Sequence, residues 1–417
     1  MRQGSIMKKY NLAAAAIAVT LGLTACSGAG EVATDGESVE SVTIGSIHPL
    51  SGGLSGVGGL MNAGAKMAVA DINAAGGIES LGGAELVLSE GDSQGRAEIG
   101  QSEAQRLISE GAVALIGTYQ SDVTQNVASV AERAKVPLVI DVAVDDKILE
   151  QGYSYSFRIQ PDATSMGTSG AQSLTAMGEA TDTEIDTVSY IHIEGAFGGS
   201  VFEAFKEEAE ATGITVAEEV TYSGANFSDA TTQVTQALSG DPDVIVVTGY
   251  FPDNLLIAEA VNALAPDIAA VYGIASGAFD DNSFPGAAGD AANNILSANY
   301  HYSATSERAA DIRERFEAEN GDSMETASML SYQAVEVIAA ALEESGSVDP
   351  EVLRDAISAL SLSDTLLEFD GPIEFDEAGQ NVNATVVVMQ VQDGIVEQVF
   401  PSEFATKDAI LPAFADR

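Results

Sequence analysis

The sequence predicts an α/β protein built as two domains, each an open, mostly parallel sheet with helices on its faces. Three observations carry this. Runs such as residues 113–117 (VALIG), 137–140 (PLVI) and 244–248 (VIVVT) are short and continuously apolar, as strands buried on both faces of a parallel sheet are. They alternate with segments whose apolar residues recur at helical spacing, and the alternation restarts at Thr187. A chain of 417 residues is also too long for one core of ordinary size.

The first unit sets the pattern. Val42, Ile44 and Ile47 read as a strand that breaks at His48-Pro49. A glycine-rich loop over residues 51–59 follows, and Met61, Ala65, Ala68, Val69 and Ile72 then lie on one helix face that Gly76-Gly77 ends. Such a unit either presents backbone N–H groups to a small anion or is a plain strand-to-helix turn. It is not a phosphate loop, because no Gly-Lys-Ser/Thr closes it. Nor does it carry a dinucleotide fingerprint: Asp71 lies inside the helix instead of beyond it.

Residues 84–88 form the second expected strand and 96–109 a helix. The strand at 113–117 leaves through 118–122 into a helix over 123–134, and the strand at 137–140 leaves through 141–146. Ligands of open α/β sheets sit beyond the carboxyl ends of the strands, which are here 48–59, 118–122 and 141–146. The second series has strands at 187–193, 215–222, 244–248 and 269–272, with helices at 197–212, 230–238 and 254–264. Three helical stretches follow at 306–319, 325–344 and 350–359. A strand over 385–391 meets a hairpin turn at Asp393-Gly394.

Arg2, Lys8 and Lys9 precede an apolar run over residues 12–23, too short to span a bilayer but suited to a signal-peptide core. It ends in Leu23-Thr24-Ala25-Cys26, which resembles a bacterial lipoprotein lipobox and implies cleavage before Cys26 and lipidation of its thiol. Cys26 is the only cysteine, so no disulfide can form within the chain. Residues 27–41 have few large apolar side chains and several acids, and read as a disordered tether. With 63 acidic against 17 basic residues, a formal charge of −46, the surface repels nucleic acid and anionic headgroups. That acidity is either adaptation to salt and solubility or a preference for cationic partners.

Beyond these readings, IGSIHPLSG, MAVADINAAGGI, GAVALIGTYQSDVT, GYSYSFRIQPD, PDVIVVTGYFPDN, YQAVEVIAAALEESGSVDP and GPIEFDEAGQ occur in order. Over residues 42–394 the chain resembles the leucine/isoleucine/valine-type substrate-binding proteins of ABC importers. The resemblance implies a type I periplasmic-binding-protein fold, two lobes with three hinge crossovers near 160–162, 299–300 and 371–383. It implies a signal peptide over 1–25 and a tether over 26–41. Lobe 1 would comprise 42–161 with 300–375, and lobe 2 would comprise 162–299 with 376–417. A small organic ligand, an amino acid or an analogue, would be captured between the lobes and handed to an ABC permease. The expected protein is an extracytoplasmic, lipid-anchored monomer with no cofactor, no metal and no nucleic-acid partner.

The resemblance also implies site residues. Ser121 matches a serine whose hydroxyl and neighbouring N–H groups hold the ligand carboxylate, or it caps the helix that follows. Ala143 matches a backbone contact. Asp145 stands where the family often has threonine, Phe197 where it has a tyrosine, and Tyr250 matches a tyrosine of the second lobe. Val57 and Tyr119 replace an aromatic and an aliphatic wall residue. The family's acidic partner for the ligand ammonium falls near Ala275, where this chain has no acid; either Asp145 takes over the ammonium, or it points to solvent, or the ligand is not a simple α-amino acid.

The sequence bears on two other functional classes. For an enzyme, the three histidines, His48, His192 and His301, form no cluster at metal spacing with cysteine, and no Gly-x-Ser-x-Gly elbow is present. His48 reads as a ligand contact or as a hydrogen-bonded structural histidine. A sensor with the same fold, signalling through a partner, is the alternative to import.

Overall fold

A computed structural model describes residues 39–225 and 227–414; the expected signal peptide and Cys26 lie outside the described residues. The first sheet contains β1 (Ser41–His48), β2 (Glu85–Asp92), β3 (Ala114–Gly117), β4 (Leu138–Ile140) and β5 (Ser156–Arg158) in the order β2-β1-β3-β4-β5, all parallel. Helices α1 (Ser55–Ala74), α2 (Ala97–Ser109) and α3 (Ser121–Ala134) connect the first four strands. Burial on both faces explains the unbroken apolar runs: Leu115, Leu138 and Ile140 pack with Leu107 and Val127 of α2 and α3, while Ile116 and Val139 join the main core on the opposite face.

Helix α4 (Ala163–Thr181) leads into β6 (Thr187–Ile193), α5 (Ala196–Thr212), β7 (Thr215–Tyr222), α6 (Thr231–Leu238), β8 (Val244–Thr248), α7 (Phe251–Leu264), β9 (Ala270–Ile274), the short α8 (Phe284–Ala288) and β10 (Leu296–Asn299). The chain then forms α9 (Glu307–Asn320), α10 (Thr326–Ser345) and α11 (Pro350–Ser358), with a small antiparallel pair, β11 (Ser361–Leu362) and β12 (Ile373–Glu374). It ends in the hairpin β13 (Val387–Gln392) and β14 (Ile395–Phe400). The second sheet has the order β14-β13-β10-β9-β8-β6-β7, parallel except for its last two strands. Among the described residues, no helix is long and apolar enough to cross a membrane.

Helix α10 returns to the first sheet and packs against α1, close enough that a Cβ on Gly64 would sit 2.2 Å from the Ser328 carbonyl oxygen. The segment after β5 is stitched to the segment before β13. Arg158, 1 % exposed, donates to Gln380 Oε1 (2.7 Å) and to the carbonyls of Val144 (2.8 Å) and Asp145 (2.9 Å). Gln380 Nε2 donates to Gln160 O at 2.8 Å, and Asn381 Nδ2 to Ile159 O at 2.9 Å. A buried guanidinium is tolerable only when its donors are met in this way.

The structure corrects the expected opening unit. The helix begins at Ser55, so Gly56, Gly58 and Gly59 belong to it and no long glycine cradle exists. Gly58 serves close packing, since a Cβ there would lie 2.2 Å from Pro49 O. The sequence pattern did not mark β5, α4, α8, β10, β11 or β12. Helix α4 starts at an Asp162 cap that accepts the Ser165 N–H at 2.7 Å. Its Gly167 lets α5 approach so closely that a Cβ would meet Phe205 N at 2.5 Å, and such glycines lower the apparent helix propensity.

Candidate functional site

A cavity of about 80 Å³ lies where the strand ends of both sheets meet. One buried water needs only about 10–15 Å³, so this is more than a solvation flaw. Seven of the eight expected residues line it: Val57 in the first turn of α1, Tyr119 and Ser121 after β3, Ala143 after β4, Phe197 at the start of α5, Tyr250 before α7 and Ala275 after β9. Aromatic rings close the cavity between the sheets. The Tyr250 ring lies 5.4 Å from Tyr119 and stacks on Phe197 at 5.3 Å, contacts worth about 0.5–1.5 kcal/mol each beyond their buried area. Burial holds the phenols of Tyr119 and Tyr300 above their ordinary range, so both are neutral hydrogen-bonding groups.

Ser121 is the first residue of α3 and makes no side-chain cap; the residue before the helix is Gln120. Its Oγ accepts the Asp145 N–H at 3.3 Å, which leaves the hydroxyl proton able to donate. Together with the helix N-terminus, this end of the cavity suits an anionic group.

Asp145 is the exception. It does not line this cavity, so the expectation that it meets the ligand ammonium there is corrected. Its side chain, 0 % exposed, turns away to hydrogen-bond Gln125 Nε2 of α3 and the Ser200 hydroxyl of α5. Its own carbonyl is held by Arg158. Residue type was legible, but the direction of the side chain was set by these donors.

Acids come to the cavity from elsewhere. Ala275 has φ +50°, which turns the chain out of β9, and Ser276 Oγ then accepts the N–H groups of Ala278 (3.3 Å) and Phe279 (3.1 Å). This folded loop carries Asp280 and Asp281 into the wall, and Glu325 arrives from the start of α10. Asp280, 7 % exposed, accepts from Ser297 Oγ at 2.8 Å and Asn299 Nδ2 at 3.2 Å. Burial pushes its carboxyl up to about 7 against these hydrogen bonds. Asp281 is raised as well, by burial and then by the Glu325 charge. Among the described residues no Lys, Arg or His lines the cavity. The pair Asp280-Asp281, five and six positions past Ala275, was visible as sequence; nothing local signalled that Glu325 would join it.

His48 is buried away from the cavity, its Nε2 2.8 Å from Asp141 Oδ2 and its Nδ1 3.0 Å from Ser46 Oγ. Among the described residues, no group of three or more His, Cys, Asp or Glu side chains is arranged to hold a metal ion.

This fold and cavity define a two-lobed solute-binding protein of the type I periplasmic class. The chain belongs to the periplasmic binding protein family, whose model matches residues 41–395. It is 28% identical over 373 residues to Leu/Ile/Val-binding protein homolog 8 of Brucella abortus, covering 87% of this chain and 91% of that protein. Among solved structures, the branched-chain amino acid binding protein LivJ of Streptococcus pneumoniae, in complex with isoleucine, matches with a TM-score of 0.75 at 22% identity, covering 87% of this chain and all of that one. A solute-binding protein of R. palustris in complex with benzoate matches with a TM-score of 0.75 at 19% identity, covering 89% and 96%. At these identities the structural likeness is one of fold. Members of the family bind solutes rather than transform them.

Proposed function

We propose that the protein is an extracytoplasmic solute-binding component of an ABC importer that captures an amino acid, or a related small polar solute, between its lobes. The lobes are residues 42–161 with 300–375 and residues 162–299 with 376–417. The observation that carries the ligand class is the make-up of the cavity wall: a serine hydroxyl and a helix N-terminus together with Asp280, Asp281 and Glu325, and no basic residue in the described wall. A zwitterion satisfies both kinds of group. A benzoate-like acid would bring a further negative charge to a wall that holds three acids and no cation, which a poorly solvated site disfavours. Ligand contacts made only in the closed form would drive closure, and the closed form would be the one handed to the permease. Cys26 would anchor the protein to the membrane.

The test is a calorimetric and thermal-shift screen of the purified chain against α-amino acids, amides, polyamines and aromatic acids. A ligand at 100 times its dissociation constant adds about 2.7 kcal/mol of stability. Binding of α-amino acids with a smaller radius of gyration on saturation is the expected result. Exclusive binding of ligands lacking an ammonium would overturn the reading.

A further inference from the structure

We propose that the groove on the far side of Tyr250 is a second recognition site, for an ammonium or guanidinium group, with Asp253 as its counter-ion. The proposal rests on the reading above only where that cation is the tail of the captured ligand. The groove encloses about 390 Å³ and shares Tyr250 with the inner cavity. Both sheets supply its wall: Ser51, Gln94 and Gln120 from the first, and Ile193, Phe227 and Asp253 from the second. A guest there touches both lobes.

Asp253 is 7 % exposed, and its carboxylate accepts a long hydrogen bond, 3.4 Å, from the Tyr222 hydroxyl. Gly249 makes room for that hydroxyl, since a Cβ there would lie 2.1 Å from it. Among the described residues, the groove wall contains no Lys, Arg or His. Burial accordingly pushes the Asp253 carboxyl up to about 6, with the Tyr222 hydrogen bond opposing the shift. The neighbouring Gln120 has its Oε1 buried with no hydrogen-bond partner among the described residues. The groove therefore offers one acceptor without a donor, Gln120 Oε1, and a buried carboxylate with no cation beside it, together with the aromatic side chains of Phe227 and Tyr250.

A simpler account is that Asp253, third in α7, offsets the helix dipole. That explains an acid in the first turn, but not its burial in a groove walled from two sheets. The acid excess of the whole chain is no better explanation, because it concerns side chains hydrated at the surface. An ammonium brings three donors and a charge to the two acceptors, and aromatic faces add to its attraction. A neutral or anionic guest leaves the Asp253 charge without a counter-ion.

Calorimetry on the whole chain separates the sources of the cation. The free-amine arm compares n-butylamine with butan-1-ol; the tail arm compares lysine with norleucine. Each is run on wild type, Asp253→Asn and Asp253→Ser. We expect n-butylamine to bind and butan-1-ol not to, and Asp253→Asn to weaken the amine at least tenfold while the melting temperature stays within a few degrees. If lysine exceeds norleucine at least tenfold and the preference collapses in Asp253→Asn, the cation is the ligand's tail. Amine binding without a lysine preference assigns the groove to a separate amine. Should Asp253→Asn fail to fold, Asp253→Ser, which keeps an oxygen in the first turn of α7 but removes the charge, must still weaken the amine. The proposal is overturned if neither n-butylamine nor lysine responds to the variants. If norleucine and lysine both fail to bind while n-butylamine does, the inner-cavity reading is the one that falls.

Discussion

The affinity for an ammonium-bearing ligand should depend steeply on pH, through Asp280. In the free protein its carboxyl is pushed up to about 7, so below pH 7 it is mostly protonated. An ammonium pairs with the carboxylate, so binding must expel that proton. For a complex whose pKa falls well below 5, the apparent dissociation constant scales with the protonated excess, and affinity falls about 90-fold, ~2.7 kcal/mol, between pH 8 and pH 5. Asp281, raised by burial and by Glu325, steepens the dependence in the same direction. The assay is titration calorimetry at pH 6 in two buffers of different ionisation heat, which should report release of about one proton per ligand at Asp280. Asp280→Asn should flatten much of the profile. The same shift acts on folding. Because its folded pKa lies above its unfolded value of 3.8, Asp280 contributes most below pH ~4, and roughly 4 kcal/mol of that is lost as pH rises through 7. A flat affinity profile from pH 5 to 8, with heats independent of buffer, would refute the role given to this carboxylate.

Other outcomes are as direct. Ser121→Ala should weaken an α-amino acid by about 1–3 kcal/mol, the cost of an unmet buried partner, and calorimetry showing no loss would remove Ser121 from the carboxylate end. Asp145→Ala strips acceptors from Gln125 and Ser200, so the denaturation midpoint should drop by an amount equivalent to about 2–5 kcal/mol, with cationic and neutral ligands weakened alike. A selective loss of cationic ligands would return Asp145 to charge recognition. In Gly64→Ala, the helix-propensity gain of about 1 kcal/mol competes with a methyl 2.2 Å from Ser328 O; overpacking of about 1–3 kcal/mol should win and lower the melting temperature. Cys26→Ala should move the protein from the membrane fraction to the soluble one, and unchanged partitioning would argue against lipidation.

Legibility followed locality. Strands β6, β7 and β8 carry their expected bounds because apolar runs or alternation, bounded by turn residues, encode them within a few positions. Helix α4 did not announce itself: Gly167, Gly170 and Gly178, placed for close approach, dilute its pattern. Seven wall residues of the cavity follow from the rule that ligands sit beyond strand ends, given the family's landmarks. What escaped was the direction of one side chain and the meeting of distant ones. Asp145 is aimed by Ser200, 55 positions away, and Glu325 joins Asp281 from 44 positions further along the chain.

The late arrival of α10 and β13 bears on how the chain is made. The first sheet is complete in sequence by Arg158, yet the helix that pairs with α1 begins only at Thr326. The second sheet likewise waits for residues 387–400 to border β10. Residues 47–149 can cover one face of the first sheet early, but its opposite face and the border of the second sheet wait until nearly all of the polypeptide has been synthesised, and contacts so distant in sequence form slowly because long loops must close first. A chain shortened at its carboxyl end would therefore lose cover from both sheets at once, although most of their strands would still be present.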